Sequence, residues 1–224
     1  VYVCTCRCVY VYVYVYICVY LYIYICMKMI INKKIYANAN ELICLSSSIA
    51  KSINQALGLN IKFKVIPSAT AGFTKDINKS SLIRNNIQES FIVGHIGVLD
   101  DSHKGQLEII QLAGNVVKNN LDIGFLLVGS GKDELMLKQH SHHLKNIYFA
   151  GQVENIGDYL DAFDVFIFPS RHEGLGSTLL DALDYGLPII ASDVGGIPEI
   201  IQDRVNGFLI KNNNSFDYYS SLYE

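Results

Sequence analysis

From residue 41 the chain alternates short apolar runs with stretches whose apolar residues return every three or four positions. ELICLS (41–46) and KFKVIP (62–67) have strand length, and SSIAKSINQALG (47–58) between them sets Ile49, Ile53, Ala56 and Leu57 at helical spacing before stopping at Gly58. A strand, a helix and a strand in that order favour a parallel pair. Residues 68–89 are polar, with TAGFTKDINKSS among them, and are expected to form a linker or surface connection.

A longer alternation follows. FIVGHIG (91–97), IGFLLVG (123–129), NIYFAG (146–151), VFIFPS (165–170) and PIIAS (188–192) read as strands. QLEIIQLAGNVVKN, KDELMLKQHSHHL, IGDYLDAF, STLLDALDY and IPEII read as the helices between and after them. Strands apolar on both faces, each followed by a helix, predict an α/β fold with a doubly wound parallel sheet, Rossmann-like and buried on both sides. Ligands of such sheets bind beyond the carboxyl ends of the strands, which directs attention to the loops after Gly97, Gly129, Gly151 and Ser170.

The first 27 residues follow a different rule. Even positions from Tyr2 to Cys26 are Tyr or Cys, and odd positions are Val, Ile, Met or Thr apart from Arg7 and Leu21. An alternating purine–pyrimidine repeat in the DNA, read in frame, gives this pattern, and Met27 and Met29 are candidate starts. Cys8 to Met27 is long enough for a membrane helix, but tyrosines spaced through it belong at the membrane interface, not across the bilayer core. A signal peptide lacks its basic start and small-residue cleavage site, and Cys4, Cys6 and Cys8 lack the second ligand pair of a zinc site.

Composition adds little until that segment is set aside, because it holds eight of the fifteen tyrosines and five of the six cysteines. The formal charge of -3 and pI near 6.1 argue against a nucleic-acid partner. LLVGSG lacks the third glycine of a dinucleotide fingerprint, His140, His142 and His143 read as solvated surface, and Cys44 reads as packing. The more informative stretch is RHEGLGSTLLDALDYG (171–186). Gly174 and Gly176 let a ligand approach the backbone, and the helix starting near Ser177 offers unpaired N–H groups to an anion such as a diphosphate. Glu173 stands where it can accept from sugar hydroxyls, and Asp181, one turn into the helix, where it can accept from a ribose diol. An acidic helix start without any ligand explains the same spacing.

The run FAGQVENIGDYLDAFDVFIFPSRHEGLGSTLLDALDYGLPIIASDVGGIPEIIQDRVNGFLI resembles the nucleotide-sugar-binding half of a family 4 glycosyltransferase of the GT-B fold, with similarity from about Phe91 to Ile210. That resemblance implies a sugar transfer from a nucleotide-diphosphate sugar to an acceptor hydroxyl with retention, and with neither metal nor cofactor. It implies that Glu173 holds the donor sugar and that Gly174, Leu175, Gly176, Ser177 and Thr178 form the diphosphate loop and helix start. Asp181 stands where most members carry Glu, with a side chain shorter by roughly 1.5 Å. Lys104 matches the lysine that neutralises the leaving diphosphate, Gly129 and Gly131 a loop near the donor, and Gln152 and Val153 the backbone that reads the base. The family's usual arginine near that lysine is Val98 here, and His172 borders the loop as a structural group or a donor contact. Gly195 to Glu199 reads as architectural.

ELICLSSSIAKSINQALGLNIKFKVIPSAT resembles the end of the family's other domain, so the expected organisation is a translated repeat over 1–28, a remnant of the acceptor-side domain with linker over 29–90, and a Rossmann-like donor domain over 91–224. Such a chain is expected to need a complete amino-terminal half, in cis or in trans, and to act in the cytoplasm or at the cytoplasmic face of a membrane on a glycan or lipid-linked glycan. Two other readings stand beside it: a non-catalytic nucleotide-binding fragment of such an enzyme, and a related sugar-nucleotide epimerase.

Overall fold

The computed structural model describes residues 34, 36, 38–70, 72–211 and 215–222; the alternating segment over 1–27 lies outside them. The chain divides into two units, one ending at Ile66 and one beginning at Pro67.

The first unit holds the expected strand, helix and strand: β1 (Ile43–Cys44), α1 (Ser47–Leu57) and β2 (Lys64–Val65), with the strands parallel. Ser46 caps α1 by accepting the Ile49 N–H at 3.2 Å, and Gly58 ends it in the left-handed conformation. The return to β2 is fixed by Asn54, whose amide both donates to the Ile61 carbonyl and accepts its N–H, at 2.9 and 2.8 Å.

The second unit is a six-stranded parallel sheet with helices on both faces. Its elements are α2 (Ile77–Asn85), β3 (Phe91–Ile96), α3 (Asp101–Lys104), α4 (Gln106–Lys118), β4 (Ile123–Val128), α5 (Glu134–Ser141), β5 (Ile147–Gly151), α6 (Ile156–Leu160), β6 (Val165–Phe168), α7 (Ser177–Asp184), β7 (Ile189–Ser192), a 3-10 turn (Ile197–Glu199), β8 (Phe208–Ile210) and α8 (Ser215–Ser221). The strand order is β5-β4-β3-β6-β7-β8. Alternate residues of each strand feed opposite cores: Leu126 and Val128 pack with Phe166, Phe168, Leu160 and Leu179, whereas Phe125 and Leu127 pack with Ile167, Ile109, Leu112 and Tyr218. Burial of both faces is why these strands are apolar throughout.

Some expectations need revision. Residues 77–85, expected within a linker or surface connection, form α2. Its apolar residues make no stripe, and Ile77 and Leu82 are 68% and 62% exposed. Its supports are an Asp76 cap on the Asn78 N–H, the Asp158 carboxylate accepting the Asp76 N–H at 2.7 Å, and Arg84 paired with Asp164 at 2.9 Å. Those partners lie about eighty residues away, beyond the reach of a periodicity argument. IPEII, expected as a helix, makes only the 3-10 turn before the chain turns towards β8. Among the described residues, no helix is long and apolar enough to cross a membrane.

Candidate functional site

The strand order reverses between β3 and β6, because the connection from β3 leads outward to β4 and that from β6 outward to β7. The β3–β6 ladder ends at Gly94 and Phe166. Beyond it the two following loops part at the carboxyl edge, the crevice in which such sheets hold ligands.

Backbone contacts bind the two loops together. The His103 carbonyl accepts the N–H groups of Arg171 and His172, at 2.8 and 3.3 Å. Gly105, at φ +66°, lies so close to the other loop that a Cβ there would stand 2.2 Å from the Pro169 carbonyl oxygen. This closure brings Lys104, at the end of α3, to Glu173: Lys104 Nζ donates to Glu173 Oε2 at 2.5 Å and lies 4.8 Å from the centre of the Phe168 ring. The side chains are 22% and 16% exposed, so the pair is largely shielded yet open to a ligand. Glu173 Oε1 accepts the Gly174 N–H at 3.1 Å, and each carboxylate oxygen keeps a further acceptor position.

Behind Glu173 stands the turn after β7. Gly195 has φ +57°, and a Cβ there would fall 1.8 Å from the Glu173 carbonyl oxygen. The sequence marks Gly195 as architectural; the structure shows that what it supports is the backbone of Glu173. Leu175 is buried, so this position offers a ligand only its backbone. Gly176 is the N-cap of α7 with no side-chain cap, which leaves Ser177 and Thr178 at an open helix start. Asp181 lies one turn inside α7 and is 9% exposed.

The remaining expected residues gather at the neighbouring strand ends. A cleft of about 200 Å³ is lined by Gly97, Val98, Gly129, Ser130, Gln152 and Val153. Gly129 and Gly131 pack backbone against backbone beside Gly97 and Leu99, and the Ser130 hydroxyl donates to Gln152 Oε1 at 3.1 Å. Val98 is 61% exposed at this rim. Around the mouth, Asp100 is held down to about 2 by the Ser102 hydroxyl first and Lys132 next, and Arg171 is engaged with Asp101 and Glu108 at 3.6 and 3.5 Å. Burial raises Glu108 above the usual carboxylate range, and Arg171 opposes it.

In α5 and the turn after it, His140 and His142 use Nδ1 on the carbonyls of Met136 and Gln139, at 2.8 and 2.7 Å, and the rings of His142 and His143 lie edge to face at 5.4 Å. Among the described residues no His, Cys, Asp and Glu cluster could hold a metal ion. Sequence reasoning passed over His95, Gln106 and Phe168. A lone histidine inside the apolar run FIVGHIG was the available signal.

The chain is similar to known glycosyltransferases. An Escherichia coli UDP-Gal:alpha-D-GlcNAc-diphosphoundecaprenol alpha-1,3-galactosyltransferase is 31% identical over 193 residues, covering 81% of this chain and 50% of its own. Bacillus anthracis N-acetyl-alpha-D-glucosaminyl L-malate synthase is 33% identical over 105 residues, which is 46% of this chain and 27% of its own. Among solved structures, Anabaena HepE in complex with UDP and glucose superposes with a TM-score of 0.72 at 23% identity, over 83% of this chain and 53% of its own. This chain therefore spans half or less of the length of these curated relatives. The model of the glycosyl transferases group 1 family matches residues 90–223, more than half of the chain and the whole of the crevice just described, and the chain belongs to that family.

Proposed function

We propose that this chain is the donor-binding half of a metal-independent, retaining glycosyltransferase of family 4, which moves a sugar from a nucleotide-diphosphate sugar to an acceptor hydroxyl. The observation that carries this reading is the contact between Lys104 and Glu173 beside the open start of α7. One ammonium, the N–H groups at Ser177 and Thr178, and the positive helix end converge where a diphosphate would gather charge as its bond to the sugar breaks. Glu173, its backbone held from behind by Gly195, offers acceptor positions for sugar hydroxyls. The cleft at Gln152 and Val153 suits the base, and Asp181 the ribose.

Without a ligand, Lys104 and Glu173 neutralise each other. A diphosphate must share the ammonium with the carboxylate, while a sugar nucleotide gives the carboxylate hydroxyls in exchange. The intact donor is therefore favoured over the free diphosphate by contacts at Glu173. The acceptor in this reading is a glycan or lipid-linked glycan, met in the cytoplasm or at the cytoplasmic face of a membrane.

A second reading rests on the open start of α7 by itself, an anion site that needs no acceptor. On that reading the chain binds nucleotide without transferring sugar. Positioning two reactants supplies several powers of ten in rate, so transfer demands an acceptor held beside the donor as well as nucleotide binding. Calorimetry with UDP and a radiolabelled-donor assay on the full chain separate these readings. Binding with transfer supports the enzyme acting alone. Binding with transfer only when a complete amino-terminal half is supplied supports the donor-binding half, and no binding rejects both. Transfer that survives EDTA supports metal independence, and loss that returns on adding a divalent cation rejects it.

A further inference from the structure

His95 lies on β3 and Gln106 begins α4; both are wholly buried. The β3–β6 ladder stops one residue earlier, at Gly94 and Phe166, and the imidazole takes over where it stops: Nδ1 is 3.0 Å from the Ile167 carbonyl oxygen. On its other side, Nε2 is 3.4 Å from the Gln106 side-chain nitrogen, which also lies 2.8 Å from the Val98 carbonyl oxygen. These contacts assign the protons. A carbonyl can only accept, so Nδ1 carries the hydrogen facing Ile167. Gln106 must turn its NH₂ group to the Val98 carbonyl, and its second N–H then points at Nε2, which has to be a bare lone pair. A charged imidazole would set N–H against N–H. Burial in turn holds His95 at about 4, with the Ile167 contact opposing and the Lys104 charge assisting.

We propose that His95 is a positioning residue: a neutral, Nδ1-protonated imidazole that ties the end of β6 through Gln106 to the loop carrying Val98 and Lys104, and so fixes the opening of the crevice. The tie crosses the point where the two strands part, one residue beyond the last ladder pair and on the strand side of the His103 carbonyl contacts. It reaches the lysine of the bridge: the Phe168 ring, beneath the Lys104 ammonium, has its centre 6.1 Å from that of the imidazole. Its neutrality also keeps a second positive charge away from the buried side of Lys104. The groups facing it are Gln106 from α4, the Ile167 carbonyl and Phe168 from β6, and Lys104 from the end of α3. Glu173 is held instead by Lys104 and by the Gly174 N–H.

The role rests on the nucleotide reading for its consequence but not for its test. In the full chain, ¹⁵N spectra of His95 should show a neutral Nδ1–H tautomer at pH 7. An Nε2–H or charged ring would overturn the assignment. Hydrogen exchange at amides 97–105 should quicken about tenfold in His95→Phe while β4 and β7 keep their protection. His95→Asn, whose amide nitrogen can reach Ile167 as Nδ1 does, should return that exchange to within about threefold of the unaltered chain. Unchanged exchange in His95→Phe overturns the proposal. Should His95→Phe fail to fold, the tautomer and the Asn variant decide it. UDP affinity should fall with the faster exchange and recover in His95→Asn; an unaltered chain that binds no UDP removes the nucleotide reading and leaves the exchange result standing.

Discussion

The two ends of the six-stranded sheet are built from different materials. At the amino end, a hollow of about 780 Å³ lies among Val165, Leu187, Ile190, Phe208 and the turn through Arg204 and Val205. At the carboxyl end the cleft beside Gly129 and Gln152 measures only about 200 Å³. The larger hollow is the poorer candidate. Among the described residues that line it, Arg204 is the one cationic side chain and lies 5.5 Å from the centre of the Phe208 ring, and none is a carboxylate. The narrower end has Lys104 on Glu173, the open start of α7, and a buried imidazole linking two loops. In a parallel sheet the carboxyl ends of the strands lead into helix starts, so donors and positive dipole ends gather on one side only. Size alone does not locate chemistry; convergence does.

A matched pair of glycine substitutions tests that contrast hardest. Gly195 and Gly186 both have positive φ, +57° and +69°, but a Cβ at Gly195 meets the Glu173 carbonyl whereas one at Gly186 meets nothing within 4 Å. Gly186→Ala, beside the larger hollow, should cost about 1–2 kcal/mol in urea denaturation and leave UDP affinity unchanged. Gly195→Ala should cost about 3 kcal/mol or more and abolish detectable UDP binding, because the backbone of Glu173 must move. Equal costs would mean that the Gly195 contact is slack.

The next effect is on stability against pH. His95 is held at about 4 in the fold against an ordinary value of 6.5, so between those values the unfolded chain binds more protons. Its contribution is present above pH 6.5 and is lost as pH falls towards 4, by about 3 kcal/mol in all. Urea denaturation at pH 7.5, 5.5 and 4.5 should show this loss in the unaltered chain and a shallower one in His95→Asn. Parallel profiles would place the acid sensitivity elsewhere.

Charge removal at the two ends comes next. Lys104→Ala should weaken UDP binding by about 1.5–3 kcal/mol, the range for charged hydrogen bonds, and Asp181→Ala by a similar amount if ribose reaches it. Arg204→Ala should change nothing. A loss with Arg204→Ala and none with Lys104→Ala would move the site to the other end of the sheet.

The smallest expected effect has the opposite sign. Glu173→Gln releases Lys104 and removes a carboxylate from beside the phosphates, so free UDP should bind tighter by about 0.5–1 kcal/mol while the sugar nucleotide loses affinity. If both ligands weaken together, Glu173 acts through the loop's shape, not through its charge.

The sequence by itself determined the parallel sheet, since strands buried on two faces must be apolar throughout and the helices between them keep their stripe. It also marked the loop from Glu173 to Gly176 and the acid at Asp181, because glycines before a helix start are a local signal. Lys104 came from the family resemblance, not from any spacing. Tertiary structure decided the rest. α2 exists through a cap and through Asp158 and Asp164, about eighty residues distant; Lys104 meets Glu173 across 69 residues; Gly195 is needed because Glu173 passes in front of it; and His95 matters because the ladder between β3 and β6 ends beside it. Periodicity reports which face of an element is buried, a property of neighbours in the chain. Which loops meet depends on strand order, and strand order is set by how whole elements pack.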